Sequence, residues 1–254
     1  MRKRMIVLAA FIMLFTGCGI QAEEKTDVFF SSEEQKEFSL AEIDAIAFLE
    51  DLAKDKVMPV TGNHRKLKKK YPEWFGKDGK ITYPILPGSD KWKKAKTARE
   101  MNSLCQIPKE IVNAVDTKTL LKAVEDYPIL YAYTNHDYYG LGLQYLAKEF
   151  YGMNVLLRRE DAYRAAAESY LGRNLKVSDE EVCVPPMIEL LLLEEFLISR
   201  EDAYYKFSEE ERREILETVE KNYDAELKLA DGSLRTHFYD MAAYGDNPWK
   251  SELP

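Results

Sequence analysis

The octapeptide "LLRREDAY" at residues 156–163 returns as "LISREDAY" at residues 197–204, an offset of 41. An internal echo of this kind constrains architecture more than any single motif, because two copies of one local sequence build two copies of one local structure. A fainter third copy is "DTKTLLKAVEDY" at 116–127. It resembles "REDAYRAAAESY" at 159–170, and both end on an acidic residue, a polar residue and a Tyr.

A period near ~40 residues is that of stacked helix pairs. In each clear copy Asp161 or Asp202 is placed to accept a bond from the first-turn N–H groups of a following helix, and Arg159 or Arg200 can reach that Asp or the carbonyls before it. The repeated Arg-Glu-Asp therefore reads as a device at a helix joint rather than a catalytic pair. The expected fold is mostly α: stacked helix pairs, HEAT-like or α-solenoid-like with orthogonal helices, carrying a short turn and hairpin insertion.

Helical periodicity and caps place the remaining segments. Ser39-x-x-Glu42 is a capping box, followed by a face of Leu40, Ile43, Ile46, Ala47, Leu49 and Ala53 to about Lys54. Between Pro59 and Gly88 turn signals dominate, and "WFGKDGKITY" reads as a hairpin with Asp78-Gly79 in its turn. Ser89 or Asp90 caps a segment to about Leu104, Pro108 opens one to Ala114, and Thr117 opens another that stops before Pro128. Asp137 caps 138–150, with Leu141, Tyr145, Leu146 and Phe150 on one side. Asp161 to Leu171 ends at Gly172 as a C-terminal cap. Pro185-Pro186 precede "MIELLLLEEFLI", apolar on most faces and so the expected central helix. Ser208 and Glu211 form a capping box for a last helix with Ile215, Val219, Tyr223 and Leu227 in one stripe, and beyond Asp231-Gly232 the chain reads as irregular.

The N-terminus carries a separate message. Arg2, Lys3 and Arg4 precede an uncharged run of eleven residues, Met5 to Phe15. That is the pattern of a secretory signal, and the run is too short for a bilayer core that takes ~20 residues to cross. Thr16-Gly17-Cys18 then places small residues before a cysteine, and this stretch resembles the lipobox of bacterial lipoproteins, with Phe15 where that class prefers Leu. The resemblance implies that Cys18 is the lipid attachment site and the new N-terminus, carrying the two acyl chains that stable anchoring needs. An ordinary signal cut after Ala22 is the alternative. The expected organisation is a signal peptide at 1–17, a lipidated cysteine and polar tether at 18–38, and one helical domain at 39–254. The expected location is the extracytoplasmic face of a cell membrane.

Charge and cysteine usage narrow the partners. Removing residues 1–17 takes away three basic and no acidic residues, leaving 33 Lys and Arg against 44 Asp and Glu. A net acidic surface argues against nucleic acid. The one dense basic cluster, "HRKLKKKY" at 64–71, reads first as a solvated face and second as a contact for anionic lipid heads. Cys105 and Cys183 read as small buried hydrophobes rather than a disulfide framework. With no CxxC, HExxH or HxH spacing around the three histidines, no metal and no cofactor is expected.

Candidate sites concentrate between Tyr127 and Tyr151, where seven tyrosines fall in 25 residues. Tyrosine combines contact area with a polar tip, which suits a recognition surface and equally a half-wet helix interface. Tyr133, Asn135, His136, Asp137, Tyr138 and Tyr139 are the candidate contacts, for an unidentified protein, peptide or envelope ligand. No residue is assigned a catalytic role. The alternative is an exported hydrolase in which a carboxylate orients His136 as a general base. Glu189, Glu194 and Glu195 lie on the apolar helix after Pro186, and burial obliges at least one of them to find a partner.

Overall fold

A computed structural model describes residues 40–59, 64–130, 139–173, 185–229, 238, 242 and 246–253. In chain order its helices are α1 (Leu40–Lys54), α2 (His64–Lys70), α3 (Asp90–Lys94), α4 (Ala98–Leu104), α5 (Lys109–Ala114), α6 (Thr117–Glu125), α7 (Tyr139–Glu149), α8 (Tyr151–Arg158), α9 (Ala162–Gly172), α10 (Pro185–Ser199), α11 (Glu201–Tyr204) and α12 (Glu209–Leu229). Two short 3-10 turns, Pro72–Trp74 and Pro248–Ser251, complete the set. Among the described residues β structure is limited to two isolated bridges, Val57 with Arg159 and Phe75 with Ile81. The domain is all-α, built from packed helix pairs.

The repeated sequence forms repeated joints between those pairs. Arg159 is 1% exposed, and its Nη2 donates to the carbonyls of Val112 (3.1 Å), Asn113 (3.4 Å) and Val115 (3.4 Å). These are end-of-helix carbonyls of α5, which have no intrahelical donor. Arg200 repeats the act one step later, its Nη1 donating to Leu157 O at 3.2 Å in the last turn of α8. The receiving carbonyls correspond: Val112 lies four residues before Asp116, and Leu157 four before Asp161. A third donor continues the series, with Asn247 Nδ2 on Ser199 O at the end of α10 at 2.8 Å.

The two joint aspartates do not cap as expected. Asp161 occupies the N-cap position of α9 but makes no side-chain cap bond; its Oδ1 accepts instead from Thr117 Oγ1. Asp202 lies inside α11, whose N-cap is Arg200, and accepts Arg200 Nη2 and Lys56 Nζ, each at 2.8 Å. At Asp202 the charged Lys56 and Arg200 win over the local backbone N–H, because an ion pair adds to the hydrogen bond; at Asp161 the competing donor is the neutral Thr117 hydroxyl. Both aspartates thus fasten the joint sideways.

Around this series α8 packs on α1, α5, α6, α7 and α9, and α9 packs on α6, α10 and α12. The core follows: Leu120, Leu143, Leu146, Phe150, Leu156, Leu157, Tyr170, Leu193 and Phe196 are all at most 1% exposed. On α1 the buried residues are Ala45, Ile46, Leu49 and Ala53, while Ala47 is exposed. Tyr145, expected on the inner side of α7, is 44% exposed, and Leu143, Leu146 and Ala147 face inward.

Other boundaries differ for local reasons. The segment expected from Ser89 to Leu104 is two helices, because Thr97 and Glu100 form a reciprocal capping box that starts α4 afresh. Gly172 ends α9 within the helix, and Arg173, extended at φ −81°, is its C-cap. The hairpin has a compact turn: Gly79 N donates to Gly76 O (2.9 Å), Gly76 N donates to Lys80 O (2.9 Å), and Gly79 sits at φ 82°. That positive φ is why glycine follows Asp78. The C-terminal stretch read as irregular contains the Pro248–Ser251 turn, which seats Trp249, 0% exposed, against Tyr204, Phe207 and Phe238. Ser208 and Glu211 do form their capping box, through bonds of 2.8 and 3.2 Å. No helix among the described residues is long and apolar enough to cross a membrane.

Arg159→Ala and Arg200→Ala should each lower unfolding free energy by about 3 kcal/mol, since each leaves a void beside unsatisfied buried carbonyls. Arg158→Ala, which loses an ion pair with the exposed Asp55 and a bond from Nε to the Asp55 carbonyl (2.8 Å), both near the surface, should cost about 1 kcal/mol. Denaturant titration of the three variants checks this ranking, and equal losses in all three would contradict the joint's importance.

Candidate functional site

The candidate contacts Tyr133, Asn135, His136, Asp137 and Tyr138 lie outside the described residues, as does the side chain of Tyr139, the first residue of α7. Cys18, Cys183 and Glu189's side chain fall outside them as well. Three other tyrosines of the same stretch are described, and they divide. Tyr127 is 3% exposed and stacks on Phe150 with centroids 4.0 Å apart, its hydroxyl donating to Asn102 Oδ1. Tyr151 is half-buried with its hydroxyl on Asn113 Oδ1 at 3.1 Å, whereas Tyr145 reaches solvent. Part of the tyrosine enrichment is therefore packing.

The polar chemistry that the described residues bring together lies between α6, α9 and α10. Helix α10 is apolar on most faces and is buried from Leu191 to Ser199 without interruption, so Glu194 and Glu195, both 0% exposed, enter the interior with it. Each finds partners. Arg173, just past the end of α9, grips Glu194 with both arms, Nε on Oε2 at 2.6 Å and Nη2 on Oε1 at 2.7 Å. Glu195 accepts the Tyr170 hydroxyl at 2.7 Å and the Phe238 backbone N–H at 3.3 Å.

A third carboxylate joins them. Glu125, 8% exposed on α6, has Arg173 Nη2 at 3.1 Å from Oε1 and Lys122 Nζ at 3.4 Å from Oε2. The guanidinium approaches Oε1 off its N–H directions, so the contact is electrostatic without being a hydrogen bond. Glu125 and Glu194, both buried, thus share Arg173 at the edge of the core, with Lys122 approaching Glu125 from the solvent side. Burial pushes the Glu194 carboxyl up to about 7, against the pull of Arg173 in the other direction. Arg173 itself, disfavoured as a cation by burial, is nonetheless held above its ordinary value by its bonds to Glu194.

This arrangement locks three helices and leaves Glu194 poised to take up a proton near neutrality. Both its oxygens are engaged by Arg173, which makes it a structural carboxylate rather than one of a pair straddling a cleft. The sequence indicated the need of Glu194 and Glu195 for partners but missed Glu125 and Arg173. Glu125 was visible in principle, lying four residues after Leu121 on the inward stripe of α6. Arg173 carried no sequence signal.

Close to the same C-terminal end of α6, a second, partly buried network ties α4 to α7. Asn102 Nδ2 donates to Glu149 O at 3.2 Å and Oε2 at 3.1 Å, while Gln106 and Tyr127 both donate to Asn102 Oδ1. Tyr83 donates to Ala123 O at 2.6 Å, and burial raises its phenol well above the usual value. Cys105 is a buried free thiol, pushed up to about 11 by desolvation and so unreactive as a thiolate. Among the described residues no group of His, Cys, Asp and Glu is placed to hold a metal ion. No protein-family model matches the chain, and no curated protein or solved structure is significantly similar to it.

The Glu194 shift sets a pH dependence. A carboxyl whose folded value lies above its unfolded 4.5 stabilises the fold when protonated, and that contribution fades as pH rises from about 4.5 through about 7. Unfolding free energy of the native chain should carry a declining component over this window, of roughly 3 kcal/mol at most. Glu194→Gln should flatten it, and an unchanged pH profile in that variant would show that Glu194 titrates normally.

Proposed function

We propose that the chain is a membrane-anchored extracytoplasmic lipoprotein whose helical domain serves as a binding module. The observation that carries the reading is the run Arg2-Lys3-Arg4, the uncharged Met5 to Phe15 and Thr16-Gly17-Cys18. That order supplies export, cleavage and a thiol for two acyl chains within eighteen residues.

The domain lends support of a different kind. All the described residues fall in the unit Ser39–Pro254, downstream of Cys18. Helix pairs fastened by recurring arginines form a stack, and stacks of this kind expose extended surfaces suited to recognition. The stretch from Tyr133 to Gly140, read from the sequence as a loop and entering α7 at Tyr139, remains the proposed contact, because loops carry function more often than the scaffold that positions them. Its Tyr residues supply area at low entropic cost, and Asn135, His136 and Asp137 supply directional bonds. The ligand is proposed by class only, as a protein, peptide or envelope component.

Cys18→Ala should abolish acylation, releasing the protein from membranes or leaving an uncut precursor. Fractionation of membranes followed by blotting reads this directly. Normal processing together with membrane retention in the variant would contradict the anchor, and processing after Ala22 would point to a freely secreted domain.

A further inference from the structure

The chain's charge is segregated. Residues 64–99 carry twelve Lys and Arg against three Asp and Glu, whereas the whole chain carries 36 against 44, so the remainder holds 24 against 41. All twelve cations of this segment are exposed. It covers the turn-rich excursion between α1 and α4, comprising α2, the hairpin and α3, and the first two residues of α4.

Its densest part is contiguous in space. Helix α2 presents five cations in seven residues, with only Leu67 partly withdrawn from solvent among the side chains after His64. It packs on the Pro72–Trp74 turn that leads into the hairpin. Lys68 lies over the turn of that hairpin so closely that a Cβ on Gly79 would meet its Nζ at 2.5 Å, and its ammonium stands 5.9 Å from the Phe75 ring. Lys77 and Lys80 flank Gly79, so the hairpin's charges adjoin those of α2. Lys70 pairs with Glu110 at 2.6 Å and Lys80 with Asp78 at 3.2 Å, both between exposed partners.

We propose that the face made by α2 and the hairpin is an electrostatic contact for anionic phospholipid headgroups. Like charges packed this closely repel one another, and a surface of opposite sign relieves that repulsion. A cluster of four to eight Lys and Arg has the composition that binds anionic lipid headgroups. The strongly acidic remainder of the chain decides between polyanions. A flat bilayer meets one face of the domain only, whereas a nucleic acid long enough to wrap it would run into the acidic remainder. The proposal draws its proximity to a bilayer from the lipid-anchor reading, but the patch can be tested apart from it.

The test is flotation of the full chain with phosphatidylcholine vesicles and with vesicles containing about one-third phosphatidylglycerol, at about 0.1 M salt. The triple variant Arg65→Gln, Lys69→Gln, Lys77→Gln is compared with Arg213→Gln, Lys221→Gln, Lys250→Gln, which removes the same charge elsewhere on exposed positions. The extra partitioning onto anionic vesicles should fall about 100-fold in the first, at about fivefold per cation, and less than about threefold in the second. Equal partitioning of the native chain onto both vesicle types, or equal losses in both variants, would overturn the proposal. So would patch-dependent binding to a single-stranded oligonucleotide that is tighter than binding to anionic vesicles. Patch-dependent flotation of a chain found unacylated at Cys18 would sink the anchor alone, and acyl-dependent flotation indifferent to the patch would sink the patch alone.

Discussion

The domain depends on one interaction made repeatedly: a buried side chain at a helix joint donating to carbonyls at the end of a preceding helix. Helix C-termini leave carbonyls without donors, and a stack of short helices has many such ends to hide. Arg159 closes α5, Arg200 closes α8 and Asn247 closes α10, each reaching back more than forty residues. Arg159 serves its three carbonyls through Nη2 alone, whose N–H groups are shared among them. Burial costs the charge something: both Arg159 and Arg200 are held below the ordinary arginine value by desolvation, and Arg159 Nε and Nη1 have no hydrogen-bond partner among the described residues. The stack tolerates this because Arg stays protonated at any physiological pH, and the donors cannot be switched off.

Polar burial recurs where α9 and α10 meet α6, with the opposite consequence. There the buried charges are carboxylates, which can shed their charge by taking up a proton, and Glu194 is raised to about 7 by that route. The interior thus contains two kinds of polar seam. The arginine joints are indifferent to pH, and the Glu125, Arg173 and Glu194 cluster responds to it. Both connect helices far apart in sequence, and neither offers an open cleft to a substrate: Arg159 and Glu194 are at most 1% exposed.

Much of the scaffold was legible in the sequence because its cues are local. Thr117 and Glu125 bound α6 within the stretch marked by Pro108, Thr117 and Pro128, and the Ser208 and Glu211 box starts α12. The echo at offset 41 placed two equivalent joints and the Arg200 bond to Asp202, but the carbonyls the arginines reach belong to helices more than forty residues earlier rather than to the turn just before. The third copy aligns at 43 by its Tyr127 and Tyr170 but at 45 by Asp116 and Asp161, a difference of two residues between joint and helix interior that blurs the repeat. What failed was long-range. Nothing near Asp161 or Asp202 announces Thr117 or Lys56, the partners that draw those side chains away from capping. Nothing near Arg173 announces Glu125 or Glu194. The break before Thr97 is the exception, a local capping box that was present and overlooked. The proposed contact stretch belongs to another category, because the side chains from Tyr133 to Tyr139 are outside the described residues.

The functional account joins a scaffold to an address. Lipid at Cys18 would hold the chain to a bilayer, the basic face of α2 and the hairpin would lie against that bilayer, and the acidic helical stack would be presented to partners. Every part of this presupposes the covalent anchor. Intact-mass spectrometry of the protein extracted from native membranes tests it most directly. The account predicts a mature chain that starts at Cys18 and carries the mass of a diacylglyceryl group. A mature chain that starts after Ala22, or one that begins at Cys18 without added lipid mass, would contradict it.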